Sequence, residues 1–101
     1  MDLILWRHAE AHEAAPGEDD MSRCLTPRGE RQAIRMAQWL ERQLPEGTRI
    51  LCSPAKRTEQ TAMALGRKYK LSSAITPQST ADMLLAAVQW PSRKNTVLVI
   101  G

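Results

Sequence analysis

LILWRHAEA, residues 3–11, carries four apolar residues directly into a cation and an imidazole. An uninterrupted apolar run of this length reads as a strand buried on both faces, the kind found inside parallel sheets. Arg7 and His8 resist burial, so the strand leaves the core at that point, either for an ordinary charged loop or for a site. Two further stretches have the same character. RILCSP (49–54) is a second short strand, and NTVLVIG (95–101) is the strongest strand signal of all, four consecutive apolar residues bounded by Asn95 and Gly101.

Helical patterns separate these strands. Thr26-Pro27 supplies an N-cap and a first-turn proline. Ala33, Met36, Ala37, Leu40 and Leu44 then fall on one helical face, and Pro45 and Gly47 end the element. A second helix is expected from about Lys56 to Tyr69, burying Ala62, Leu65 and Tyr69. AITP (74–77) reads as a further strand and STADMLLAAVQW (79–90) as a third helix, capped by Ser79 or Thr80, with Leu84, Leu85 and Val88 inward. Residues 13–24, EAAPGEDDMSRC, form a polar loop punctuated by Pro16 and Gly17. Strands alternating with helices imply crossover units. The expected fold is α/β, a mainly parallel sheet with helices on both faces, built as one domain over residues 1–101. Ligands of such sheets bind beyond the carboxyl ends of the strands, here Arg7-His8, Ser53 to Arg57, and Gly101.

Composition narrows the class. The 101 residues are 43% hydrophobic and 25% charged, with three Trp, one Tyr and no Phe, so the core rests on aliphatic side chains. The net charge of +3 suits anionic partners without naming one. Cys24 and Cys52 form no C-x-x-C pair, which points to a reducing compartment and away from disulfides or zinc. The N-terminus reaches Arg7 too early for a signal peptide, and no apolar run approaches membrane-spanning length. The reading is a cytoplasmic protein that engages no membrane.

Arg7 offers a planar fork of donors that matches two phosphate oxygens. A neutral His8 nitrogen is a competent nucleophile toward phosphorus when the other ring nitrogen is held by a hydrogen bond. The dipeptide alone is too short to be specific. SPAKRTEQT (53–61) adds to it, because Arg57 in the first turn of the next helix can reach the same crevice as Arg7. Ser53 can cap that helix, whose N-terminus favours an anion.

LILWRHAEA, LTPRGERQA and CSPAKRTEQTA, in this order and spacing, resemble the histidine phosphatase superfamily, and most of all its small phosphohistidine phosphatase branch. Ala9, where the wider family more often has glycine, is normal for that branch. The resemblance implies a metal-independent, cofactor-free phosphatase acting on a phosphohistidine-bearing protein. His8 would be the nucleophile, Arg7 and Arg57 would hold the equatorial oxygens, and Ser53 would help bind phosphate or sulfate in the site. Thr58 and Thr61 would support the second motif, and Thr26, Gly29 and Gln32 a structural helix motif. The family's second histidine usually follows a strand of the VLVIG kind as Gly-His, so a chain read as stopping at Gly101 is expected to be weakly active or inactive. His12, in a loop, does not take over that role.

Glu10 reads as a loop hydrogen-bonding residue and Asp82 as a first-turn helix residue, leaving the general acid unassigned. Two other readings compete. Cys52 and Arg57 loosely suggest a cysteine phosphatase, but the spacing is short, Pro54 interrupts, and Cys52 reads as a core residue. Arg28, Arg31, Arg35 and Arg42, with Trp39 on the same helix, could track phosphates as a non-catalytic anion or nucleic-acid module. Glu30 and Glu41 interrupt that stripe, so it reads as a solvated face and no nucleic acid is expected. Small phosphate esters are the alternative substrate.

Overall fold

Among the described residues, four strands form one parallel sheet in the order β1-β4-β2-β3, with β1 at Leu3–Trp6, β2 at Arg49–Cys52, β3 at Lys70–Leu71 and β4 at Val97–Ile100. The computed structural model describes residues 3–75, 80–83 and 96–101. The three apolar runs become the three adjacent strands β1, β4 and β2, in register as Ile4↔Leu98↔Ile50 and Trp6↔Ile100↔Cys52. Because side chains alternate along a strand, these six residues share one face, and Leu3, Val97, Val99 and Leu51 share the other.

Two α-helices cover the first face, α1 at Pro27–Gln43 and α2 at Lys56–Met63. Thr26 caps α1 as its sequence implies, its hydroxyl accepting the Gly29 N–H at 2.9 Å. Ala37, Leu40 and Leu44 from the α1 region meet Ala62 and Leu65 from the α2 region over Trp6, Ile50, Cys52, Leu98 and Ile100. The opposite face carries a second cluster, in which Ile75 joins Leu51, Val97 and Val99. Both α1 and α2 therefore lie on one side of the sheet; the expected third helix (79–90) lies mostly outside the described residues, which show only residues 81–83 as helical, with the Thr80 hydroxyl accepting the Met83 N–H at 3.2 Å.

Three expectations need correction. The first strand is not buried on both faces: Leu5 is 65% exposed, because β1 is the outer strand on that side among the described residues. The second helix stops at Met63 rather than near Tyr69, because Ala64 and Leu65 close with shorter bonds to Thr61 and Ala62, and Gly66 turns the chain at φ +74°. The strand after it is Lys70–Leu71; Ala74 and Ile75 lie in a turn instead of the expected strand, and Pro77 lies outside the described residues.

Gly29 explains how the first motif is fastened down. A Cβ at this position would collide with the Glu10 carbonyl oxygen and come within 2.9 Å of its carbonyl carbon. The backbone after His8 thus lies directly on the first turn of α1. Thr26 N–H donates to that same Glu10 carbonyl at 3.0 Å, and Gln32 Oε1 accepts the Glu10 N–H at 3.1 Å.

Candidate active site

The parallel ladder carries the three strand ends to one place. His8 N–H donates to the Gly101 carbonyl at 2.9 Å, Gly101 N–H to the Trp6 carbonyl at 3.1 Å, and Ser53 N–H to the Ile100 carbonyl at 2.9 Å. Beyond these ends lies a cavity of about 490 Å³ whose walls include Arg7, His8, Ser53 and Arg57. All four residues singled out in the sequence therefore face one space.

The hydrogen bonds of His8 fix its tautomer. Its Nδ1 lies 2.7 Å from the Ala9 carbonyl oxygen, which can only accept, so Nδ1 carries the proton. Its Nε2 lies 3.3 Å from Arg57 Nε, which can only donate, so Nε2 presents a lone pair. Burial pushes the imidazole pKa below its ordinary value. The bond to the Ala9 carbonyl opposes that shift, while Arg57, Arg7 and Arg23 add to it. The result is a neutral ring that lines the cavity with its Nε2 lone pair toward Arg57.

Arg57 sits in the first turn of α2 and is 5% exposed. Besides facing His8, it donates from Nη1 to the Asp20 carbonyl at 2.7 Å and from Nη2 to Asp20 Oδ2 at 3.1 Å. Two threonines build the support beneath it. Thr58 Oγ1 donates to both the Ser53 and Ala55 carbonyls at 2.7 Å, tying β2 to the start of α2. Thr61 Oγ1 donates to the Arg57 carbonyl at 2.8 Å and accepts the Ala9 N–H at 3.2 Å, which links the two motifs directly. Both threonines are buried, so these bonds act away from competing water. Ser53 is not the helix cap, contrary to expectation: Ala55 holds the N-cap position without a side-chain bond, and the Ser53 hydroxyl accepts the Ala55 N–H at 3.4 Å. Arg7 is exposed at the cavity rim.

The sequence reading missed Asp20 and Arg23. They sit on the short 3₁₀ turn Asp20–Ser22 and just after it, inside what read only as a polar loop. Asp20 bridges the two guanidinium groups, accepting from Arg23 Nε at 2.9 Å and from Arg57 at 3.1 Å, and this neighbourhood holds its carboxyl below the usual range against the opposing effect of desolvation. The cue available was charge alone, an acidic pair followed by an arginine.

Other candidates fall elsewhere. Cys52 lies in the core; burial pushes its thiol up to about 11, which removes it as a nucleophile at neutral pH. Glu10 is occupied with Thr26 and Arg28 on α1. His12 does not line the cavity, though its carbonyl accepts from Arg23 Nη1 at 3.0 Å. Asp82 is exposed in the short helical piece over residues 81–83. Arg28, Arg31, Arg35 and Arg42 are exposed along α1, as a solvated face requires.

The sequence model of the histidine phosphatase superfamily (branch 1) matches residues 3–80. The chain belongs to that superfamily. Among similar proteins, the phosphohistidine phosphatase SixA of Escherichia coli (strain K12) is 35% identical over 109 residues, an alignment that takes in 100% of this chain and 66% of that protein. A SixA structure from Nakamurella multipartitia is 37% identical at a TM-score of 0.83, over 98% of this chain and 57% of the other. A protein histidine phosphatase SixA complexed with tungstate is 30% identical at a TM-score of 0.84, covering 100% of this chain and 69% of the other. The chain thus spans somewhat under two thirds of the first of these relatives. Within the superfamily match lie Arg7, His8, Ser53 and Arg57, and with them Asp20 and Arg23.

Proposed function

We propose that the protein carrying this chain removes the phosphoryl group from a phosphorylated histidine of another protein, by way of a phosphohistidine formed on His8. The observation that carries this reading is the fixed tautomer of His8, with the Nε2 lone pair 3.3 Å from the Arg57 guanidinium in a cavity at the strand ends. Such a cavity, in a chain similar to relatives named for phosphohistidine, supports the substrate class. The tungstate held by one of those relatives is a tetrahedral oxyanion like phosphate.

The first transfer forms an Nε2–P bond on His8 while the P–N bond to the substrate imidazole breaks, its electron pair leaving on that imidazole. A proton taken up from solvent by the substrate imidazole lets it leave as the neutral ring, without a strong acid from the protein. Arg57 Nε–H, which caps the empty Nε2, then meets a phosphoryl oxygen, and Arg7 at the rim neutralises a second. The Nδ1–H bond to Ala9 stabilises the positive charge that the ring acquires on phosphorylation. Water next attacks phosphorus, the Nε2–P bond breaks, and inorganic phosphate leaves with His8 neutral again.

The test is transfer of ³²P from a phosphohistidine-bearing phosphotransfer protein. An acid-labile, base-stable label on the parent protein, lost in H8A and retained in C52S, is the expected pattern. Turnover in H8A at the parental rate refutes the reading.

A further inference from the structure

We propose that Arg23 is a third guanidinium of the anion seat, binding an oxygen of the phosphoryl group opposite Arg57. Its guanidinium lines the same cavity as Arg7, His8 and Arg57, yet it arrives from the polar loop and not from either strand-end motif. The inference deepens the phosphatase reading and rests on it.

Three observations carry it. First, Arg23 is held in one place: Nε donates to Asp20 Oδ1 at 2.9 Å and Nη1 donates to the His12 carbonyl at 3.0 Å. Second, the bridge is shared. Asp20 receives Arg57 through Oδ2 and its own carbonyl while receiving Arg23 through Oδ1, so one residue sets two guanidinium groups at a fixed spacing on one cavity. Neither bond uses Arg23 Nη2, which remains a donor available to an anion. Third, Arg23 is close enough to the nucleophile to act on it, adding to the depression of the His8 pKa alongside Arg57 and Arg7. The charged groups facing His8 among the described residues are thus Arg7, Arg57 and Arg23, with Asp20 the carboxylate side chain that the described cavity wall contributes.

The loop itself is built for this. Asp19 caps the 3₁₀ turn by accepting the Met21 N–H at 3.2 Å, and the Ser22 hydroxyl returns to the Asp19 carbonyl at 2.7 Å. On the far side of Arg23, His12 N–H donates to the Cys24 carbonyl at 2.9 Å and Leu25 N–H to Gln60 Oε1 at 2.7 Å. A chain segment fastened at both ends presents its arginine without having to order it on binding.

The experiment is tungstate titration by calorimetry at fixed low salt, with the parent protein, R23Q, R23K and R57Q, and with His8 titrated by NMR in each. Loss of one charge-assisted contact predicts about tenfold weaker tungstate binding in R23Q, partly restored in R23K. His8 should titrate at higher pH in R23Q, because a repelling cation is gone, and as in the parent in R23K, where the charge remains. An R23Q protein that binds tungstate as tightly as the parent overturns the role of Arg23; if R57Q abolishes binding in the same series, the phosphatase reading stands without it. A parent protein with no affinity for tungstate overturns both.

Discussion

Replacing Gly29 with alanine sets two effects against each other, and the structure decides between them. On helix propensity alone the change stabilises, by up to about 1 kcal/mol. Gly29 lies at the third position of α1, where the new Cβ would strike the Glu10 carbonyl oxygen and stand 3.2 Å from the Glu10 nitrogen. This contact is with backbone, so no side-chain rotamer relieves it. Overpacking of this kind costs about 1–3 kcal/mol. Relief by lifting residues 9–11 off the helix sacrifices the Thr26–Glu10 and Glu10–Gln32 bonds at 3.0 and 3.1 Å, at about 1 kcal/mol each. The propensity gain offsets only part of either route, so G29A should lose roughly 1 kcal/mol net in urea unfolding followed by circular dichroism. The displaced segment begins one residue after His8, so phosphoryl transfer should fall by more than the stability loss explains. A G29A protein as stable as the parent, or more so, refutes the account of how the first motif is anchored.

Leu98, fully buried in the central strand, should cost about 3–5 kcal/mol when cut to alanine, read as a lower urea midpoint. Because burial and the surrounding arginines depress the His8 pKa, the neutral nucleophile persists below the ordinary value of 6.5, and the acid limb of the transfer rate should lie below that pH. The same shift has a sign in stability: the unfolded chain protonates first, so His8 contributes fully above 6.5 and progressively less as pH falls toward its lower folded value, measurable as a falling unfolding free energy. In native thiol labelling at pH 8, Cys24 should react and Cys52, with its thiol pushed up to about 11, should react only on unfolding.

What could be read from the chain, and what could not, follows from the range of the forces involved. Strands β1, β2 and β4 announce themselves by unbroken apolar runs, which burial on both faces requires of VLVI and which β1 keeps although Leu5 is exposed. Lys70–Leu71 carries no such signal, since a two-residue outer strand with both residues exposed is defined by its hydrogen bonds to β2 and not by burial. Arg7, His8 and Arg57 were legible because each immediately follows or opens a recognisable element. Asp20 and Arg23 were not, because what brings them to the cavity is a pair of contacts across 37 and 11 residues of sequence that no local pattern encodes.

The strand order carries a lesson about timing. β4 is inserted between β1 and β2, so the strands that deliver His8 and Arg57 have no direct ladder between them until β4, the last of the four in chain order, threads into the gap. Such long-range pairing forms slowly compared with the local helices. During synthesis the nascent chain would carry the His8 imidazole and the Arg57 guanidinium on separate, unjoined strands, and the two could be set at their spacing only once β4 has been made.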